Sequence, residues 1–216
     1  MNALEFENRR WVRGGYGMLF RHRAAAGLVV RGPVLDVGCG DGTLLAFLRS
    51  GGVRGTGTDF SEVAVHAARG RGVDARLHDA VKDPLPFRDR SFGTVVLLDV
   101  LEHLYDPDAL LREAVRVSSR DVIVGVPNFN SFVARFQALF GRVPENNTPQ
   151  KGHVYWFNRR ILIGMARNSG LRPVAIRTNT VMERYSGIGF LPRLLVRIFP
   201  DFFALSFVIR FEKSAI

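Results

Sequence analysis

The chain has 216 residues, 47% of them hydrophobic, which suits one α/β domain with additions and a sizeable core. Its single cysteine, Cys39, excludes an internal disulfide and agrees with a reducing compartment. The first ten residues lack the apolar core of a secretory signal, and no run approaches the ~18 apolar residues of a membrane span. These features predict a cytoplasmic protein.

The formal net charge is +10, carried almost wholly by arginine. A positive field favours an anionic partner, which could be a phosphorylated or carboxylated substrate, an acidic membrane surface or nucleic acid. Because the arginines are scattered along the chain rather than clustered, nucleic acid is the less favoured of these partners. Oligomeric state is not predicted by these features.

Residues 1–31 predict an N-terminal helical segment that mixes helix formers, four glycines and many arginines. Tyr16 and His22 are candidates to contact a substrate. The alternative is an apolar face that seats this segment on the body of the protein, formed by Trp11, Tyr16, Leu19 and Phe20.

The stretch from Pro33 to Leu48 predicts a strand, a tight turn and a helix. Three glycines at alternate positions, Gly38, Gly40 and Gly42, form the turn, where missing Cβ atoms allow positive φ and close approach to a ligand. The spacing does not fit the dinucleotide pattern G-x-G-x-x-G, because Thr43 stands three places after Gly40. Asp36 would repel a pyrophosphate and attract a cation, so a sulfonium ligand suits this turn better than NAD.

The segment LDVGCGDG resembles the first motif of the class I S-adenosylmethionine-dependent methyltransferases. The resemblance implies S-adenosylmethionine (SAM) as cofactor, bound by the glycine turn and Asp36. It also implies the fold of that family, a doubly wound and mostly parallel seven-stranded sheet with an antiparallel last strand. We expect this domain to span residues 32–216, with a lid insertion after the fifth strand at about 128–157.

The second strand is predicted over Val53–Asp59, followed by a helix capped by Ser61. A carboxylate at the end of this strand would lie beside the ribose of a nucleotide bound over the first turn, so Asp59 is assigned to the ribose hydroxyls. Phe60 could cover the adenine. The alternative for Asp59 is an acid favoured by a helix dipole.

Strand three is predicted over Val73–His78, and the resemblance implies that Asp79, next to Ala80, accepts from the adenine amino group. The apolar run Thr94–Leu98 predicts a central strand buried on both faces. The family usually has Asp where Gly93 stands. That departure lies at the strand's entry, away from the ligand, so we expect it to leave catalysis intact.

Asp99 ends this strand in the crevice where ligands of doubly wound sheets bind, and residues through Leu101 are expected to line the methionine moiety. His103 is the candidate general base, because its unperturbed pKa is near ~6.5. A structural hydrogen-bonding role is the alternative, since an E-H-L triplet recurs in such enzymes with different acceptors.

Asp106 and Pro107 predict the start of another helix, and Asp121–Val126 predicts the fifth strand. The lid insertion then supplies the remaining candidates for substrate binding, each with a lid-anchoring role as the alternative: Asn128, Asn130, His153 and Tyr155. The segment PNF, a helix and GRVP resemble the MetW-like branch of the methyltransferases, also classed as methyltransferase type 11. This resemblance weakens after Pro144.

A helix over Arg159–Asn168 and a strand over Leu171–Arg177 precede an aromatic, basic segment at about 181–200. This segment packs inside or presents Leu194, Leu195, Ile198 and Phe199 to a membrane or a lipophilic substrate, with Arg193 and Arg197 near acidic headgroups. The last, antiparallel strand is predicted over Phe202–Phe211.

The sequence as a whole predicts methyl transfer from SAM to a small-molecule acceptor, anionic or lipophilic, at an oxygen, nitrogen or carbon atom. No metal-ligand spacing is present, so no metal centre is predicted. Two other functions stay open: a MetW-like, partner-dependent module that supports a homoserine acyltransferase in methionine biosynthesis, and a nucleic-acid methyltransferase.

Overall fold

A seven-stranded sheet forms the centre of the molecule. The computed structural model describes residues 17–145, 148, 151–180 and 190–214. The strands are β1 Val34–Val37, β2 Gly55–Asp59, β3 Asp74–Leu77, β4 Phe92–Leu98, β5 Ser118–Pro127, β6 Leu171–Asn179 and β7 Ser206–Lys213. Their order across the sheet is β3-β2-β1-β4-β5-β7-β6. Strands β1 to β5 pair in parallel, while β7 runs antiparallel to both β5 and β6, which confirms the predicted fold class.

Helices cover both faces of the sheet. They are α1 Phe20–Ala26, α2 Thr43–Ser50, α3 Glu62–Gly70, α4 Pro107–Val117, α5 Phe132–Leu139, α6 Arg159–Asn168, α7 Phe190–Ile198 and α8 Pro200–Phe203, and a 3₁₀ turn at Leu101–His103 follows β4. No helix within the described ranges is long and apolar enough to cross a membrane. The element bounds agree closely with the sequence for α2 and α6, and the side chains of Ser61 and Asp106 cap α3 and α4 as predicted.

The two faces of the sheet bury two separate apolar cores. On one face, Leu35 of β1 and Val95 of β4 pack with residues of α4 and α6, such as Leu111 and Leu162. On the other, Val34 packs with residues of α1 to α3. Because side chains alternate along a strand, Asp36 points to the same face as Val34. The doubly wound arrangement leaves the carboxyl ends of β1, β2 and β4 as one edge that can hold a ligand.

The predicted start of the last strand was wrong. Phe202 lies in α8, and β7 begins only at Ser206. The helix begins with Pro200, which suits a first helical position, and the side-chain amide of Asn128 donates to the backbone oxygens of Asp201 (3.0 Å) and Ala204 (2.8 Å). A buried amide 70 or so residues away therefore fixes this turn, and no local pattern records that contact.

The structure explains why position 93 is a glycine, which the sequence alone did not. A Cβ atom at this position would lie 2.7 Å from the backbone oxygen of Gly32 and 3.0 Å from the carbonyl carbon of Arg31. The chain entering β1 crosses the start of β4 here, so the acid that the resembling family carries cannot fit unless backbone moves.

Gly93→Asp is therefore expected to lower the free energy of unfolding by about 2 kcal/mol or more, because the clash is with backbone rather than with a flexible side chain. Gly164→Ala is the control, since Gly164 lies in α6 with open space around the added methyl group, and it should raise stability by up to about 1 kcal/mol. Urea unfolding followed by tryptophan fluorescence measures both. If Gly93→Asp and the unaltered chain have equal free energies of unfolding, the close approach of the Arg31–Gly32 backbone to Gly93 is contradicted.

Candidate functional site

The glycine turn after β1 is held open by its own backbone geometry. Gly38, Gly40 and Gly42 all have positive φ, at 74°, 54° and 73°. A Cβ atom on Gly38 would lie 2.5 Å from Cγ2 of Val100, which packs over the turn from the end of β4. The N–H groups of Gly38 and Cys39 both donate to the oxygen of Thr58, at 2.8 and 3.0 Å. The turn is thus clamped to β2 and has no room for a side chain at Gly38.

Asp59 joins the turn to the end of β2. Its Oδ2 accepts from the N–H of Gly40 and its Oδ1 from the N–H of Ser61, both at 2.9 Å. A carboxylate offers about four acceptor positions, so acceptor capacity for ligand hydroxyl groups is compatible with these two bonds. The buried carboxylate therefore orders the glycine turn in addition to the ribose role expected from the sequence.

Asp36 is more deeply buried than Asp59 beside it. The residue is 3% exposed against 7% for Asp59, and burial, with the nearby charge of Asp59 as the second cause, raises the pKa of Asp36 to about 8. Two carboxyl groups in a poorly solvated space repel each other when both are ionised. A cation placed here would relieve that repulsion, as the sequence analysis expected for a sulfonium ligand.

The rim of the site is formed by the ends of β2 and β3. Asp79 is half-buried and accepts from the N–H of Val81 and from Nζ of Lys82, at 3.1 and 2.9 Å. Phe60 is exposed at the surface, and Ala80 packs partly against the core. Asp36, Asp59 and Asp79 thus stand at or near the carboxyl ends of three adjacent strands.

Helix α1 is tied to the same edge by an ion pair that the sequence analysis missed. Arg21 lies 3.1 Å from Asp99, whose backbone takes a positive φ of 52° at the end of β4. His22 accepts the N–H of Leu19 at Nδ1, and burial, then the charge of Arg21, lowers its pKa to about 4. His22 is therefore neutral at physiological pH. Tyr16 lies outside the described residues.

The segment after β5, which the sequence analysis predicted as a lid, returns to the turn that carries His103. The N–H groups of Val154 and Tyr155 both donate to the oxygen of Glu102, at 2.8 and 3.0 Å. This contact places His153 edge-on to His103, with 4.9 Å between ring centroids, and Phe129 completes the wall at 5.4 Å from His153. Phe129 was not among the predicted residues.

A hydrogen bond identifies the tautomer of the His103 ring. Its Nδ1 lies 3.1 Å from the backbone oxygen of Gly152. A carbonyl only accepts, so Nδ1 carries the proton and Nε2 of the neutral ring keeps its lone pair. A ring held in this way can take up a proton at Nε2.

Glu102, His103 and His153 offer ligand-type atoms that all lie within 4.8 Å of one another. Glu102 is fully buried, and the two histidines are partly exposed. Sequence spacing could not reveal this group, because the fold of the lid brings His153 to a turn fifty residues earlier. The group combines a carboxylate with two imidazoles, which suits proton transfer.

Two predicted site residues are corrected by the structure. Leu101 was expected to line the cofactor, but it begins the 3₁₀ turn and is fully buried in the core that contains Leu35 and Val95. Asn128 was expected to bind substrate, but its amide donates to α8 and its Oδ1 accepts from the N–H of Asn130. Its polar atoms are therefore engaged within the protein, which matches the lid-anchoring alternative.

The other two lid candidates lie nearer the surface. Asn130 is partly exposed, and its backbone oxygen accepts from Nε of Arg135. Tyr155 packs on Phe157, with 4.8 Å between ring centroids, and keeps part of its surface open. Both remain candidates for contact with a substrate.

The sequence model of a known protein family matches the part of the chain that forms this site. The sequence model of the family described as methionine biosynthesis protein MetW matches residues 22–162, which include the glycine turn, all three strand-end acids and the His103 cluster. The chain belongs to the MetW family. This match ends within α6, so β6, β7 and the aromatic segment between them lie beyond the part of the chain that identifies the family.

Two curated relatives of this MetW-family chain are named as ubiquinone biosynthesis O-methyltransferases. The protein of Hydrogenovibrio crunogenus is 25% identical over 85% of this chain and 76% of its own length. That of Bordetella parapertussis is 26% identical over 71% of this chain and 68% of its own.

Solved structures share the fold. A SAM-dependent methyltransferase of Thermotoga maritima superposes with a TM-score of 0.69 at 21% identity, covering 96% of this chain and 92% of that one. Magnesium protoporphyrin IX methyltransferase of Synechocystis, solved with bound S-adenosylhomocysteine (SAH), superposes with a TM-score of 0.67 at 17% identity, covering 99% and 96%. The MetW-family chain therefore has the class I methyltransferase fold.

Proposed function

We propose that this MetW-family protein is a SAM-dependent methyltransferase that acts on a hydroxyl group of a small, lipophilic acceptor. The observation that carries the proposal is the buried acid pair Asp36 and Asp59 beside a glycine turn that excludes a Cβ atom at Gly38. This combination favours a cation that also carries a ribose, and it disfavours a pyrophosphate. The O-methyltransferase names of the relatives support the choice of an oxygen acceptor.

SAM supplies an activated methyl group on a sulfonium, and the protein's part is to bind, orient and accept a proton. The glycine turn and Asp36 would hold the methionine portion, and Asp59 the ribose. Asp79 and Phe60 would contact the adenine from the rim. Arg21, through Asp99, would keep α1 over the mouth of the site and so limit access of water.

On the acceptor side, His103 would take the proton of the hydroxyl group at Nε2. The bond from Nδ1 to Gly152 orients the ring for that task. His153, Phe129 and Tyr155 provide aromatic surface for an apolar acceptor. An ionised oxygen is a stronger nucleophile, so His103 would raise the rate of the chemical step.

The MetW family match favours a second candidate, a partner-dependent module that supports a homoserine acyltransferase in methionine biosynthesis. In that case the isolated chain would bind a partner protein and show no turnover of SAM with any acceptor. Affinity purification from its natural host, with the acyltransferase sought among the bound proteins, separates this module from a self-sufficient enzyme.

The glycine turn gives the first test. Gly38→Ala should weaken SAM binding at least about tenfold, because the new methyl group forces Val100 and the turn apart. Gly170→Ala is the matched control: Gly170 has nearly the same φ, 75° against 74°, but open space around its Cβ position. Isothermal titration calorimetry with SAM should show unchanged affinity for this control.

Two outcomes of the same titration would count against the proposal. Tight binding of NAD with no binding of SAM would refute the assignment of the turn. Equal loss of affinity in Gly38→Ala and Gly170→Ala would mean that backbone strain, rather than the cradle, sets the affinity.

His103 gives the second test. His103→Gln should lower kcat by about 10²–10⁴ with a lipophilic phenol as acceptor, while SAM affinity stays the same. His66→Gln makes the identical change at an exposed histidine of α3 and should leave kcat unaltered. Release of SAH measures the rate.

A kcat of His103→Gln equal to that of the unaltered enzyme would assign His103 a structural role only. If activity disappears on dialysis against EDTA and returns with a divalent cation, the cluster of Glu102, His103 and His153 binds a metal ion, and His103 does not act as the proton acceptor.

A further inference from the structure

An apolar surface continues from α5 onto the short helices before β7. Phe132 stacks on Phe202 with 5.9 Å between ring centroids, and Phe136 contacts Phe140 at 4.7 Å. Because Phe132, Phe136 and Phe140 recur at intervals of four, they lie along one side of α5 and its end. We call the surface formed by Phe132, Phe136, Phe140, Phe199 and Phe202 the aromatic ridge.

The outer part of the ridge faces solvent. Phe136 is 61% exposed and Phe140 65%, and the adjacent Leu139 is 78% exposed. Val143, Leu194 and Ile198 extend the apolar area on the same segments. The inner sides of these helices are already used, since Ala134 and Val196 are buried against the body. Contiguous apolar patches are rare on monomeric soluble proteins and mark interaction sites.

Exposed arginines accompany the ridge. Arg135 lies with its guanidinium 5.6 Å from the ring centre of Phe202, and Arg142 and Arg197 are exposed on the same two segments. Among the described residues within 132–145 and 194–203, the acids are Glu145 and Asp201. Asp201 is already paired with Arg159, at 2.8 and 2.9 Å, so Glu145 is the acid that remains to balance these arginines. The ridge therefore carries an excess of positive charge.

Aromatic rings mixed with exposed arginines favour the interface of an anionic bilayer over a second copy of the chain. A symmetric dimer through the ridge would bring these arginines close to their own copies, whereas acidic headgroups would neutralise them. Rings and aliphatic side chains can enter the headgroup boundary while arginine heads remain in water.

We propose that the aromatic ridge docks this protein on an anionic lipid bilayer. The ridge adjoins the acceptor side of the site, because Phe129, three residues before Phe132, lies against His153. Docking would thus place the site where a lipophilic acceptor is dissolved. This last consequence rests on the proposed function, whereas the docking itself does not.

The test is co-flotation of the full chain with vesicles at about 0.15 M salt. Vesicles of phosphatidylcholine that contain ~40 mol% phosphatidylglycerol have an acidic surface. They should bind the protein at least about tenfold more tightly than vesicles of pure phosphatidylcholine. Phe136→Ser combined with Phe140→Ser should lower that affinity at least about tenfold. Phe47→Ser, at an exposed phenylalanine of α2 away from the ridge, should change it less than about twofold.

Charge is tested separately. Arg142→Gln with Arg197→Gln should reduce binding to the acidic vesicles, while Arg167→Gln with Arg177→Gln, an equal loss of exposed charge elsewhere, should reduce it much less. Equal losses in the two pairs would mean that net charge alone attracts the protein, and would overturn docking by the ridge.

Two further outcomes would also overturn it. One is no binding of the unaltered chain to acidic vesicles. The other is a dimer, seen by light scattering, that dissociates when Phe136→Ser and Phe140→Ser are combined, because the ridge would then be the interface with a second copy of the chain. SAM titration of the same variants keeps the two proposals separate: an unaltered chain that binds vesicles but not SAM would refute the function and leave the docking.

Discussion

The site depends on the burial of two carboxyl groups at neighbouring strand ends. Asp59 is compensated, because the N–H groups of Gly40 and Ser61 both donate to it. Asp36 is compensated less, and its raised pKa shows the cost of ionising it beside Asp59. Natural proteins retain such a cost mainly where function needs it, so the pair is the strongest physical indication of a bound cation. The bond from the N–H of Gly40 to Asp59, together with the bonds from Gly38 and Cys39 to Thr58, fixes the glycine turn against β2.

Features encoded within one element were predictable from the sequence. The caps Ser61 and Asp106, the bounds of α2 and α6, and the crossovers that make the sheet parallel all come from patterns a few residues long. Contacts across the fold were not. Asn128 anchors α8, His153 reaches His103, and Arg21 pairs with Asp99, each over a long stretch of chain. Leu101 illustrates the same limit, since only the packing of its turn decides whether it faces ligand or core.

The segment from Asn128 to Phe157, predicted as a lid, links the two proposals. Asn128 anchors α8, and Phe129 lies against His153 on the proposed acceptor side. Helix α5 carries the ridge, and Val154 and Tyr155 donate to the turn of His103. The family match ends within α6, so α7 and α8, which carry part of the ridge, lie beyond the part of the chain that identifies the family. On the two proposals, specificity is expected to lie in the segment between β5 and α6 and in these final helices, because a shared fold and glycine turn do not by themselves select an acceptor.

The central claim is that the acid pair binds a cation, and proton release on binding tests it most directly. Below pH 8 the buried Asp36 is largely protonated, and an adjacent cation would lower its pKa, so binding should release a proton and affinity should rise from pH 6 to pH 8. Calorimetry with SAM in buffers of different ionisation enthalpy measures that proton. The α-amino group of the ligand titrates in the same range, so Asp36→Asn provides the reference. The account predicts a larger proton release and a steeper rise of affinity, by up to about tenfold per pH unit, in the unaltered protein than in Asp36→Asn. Identical proton release and identical pH dependence in the two proteins would contradict it.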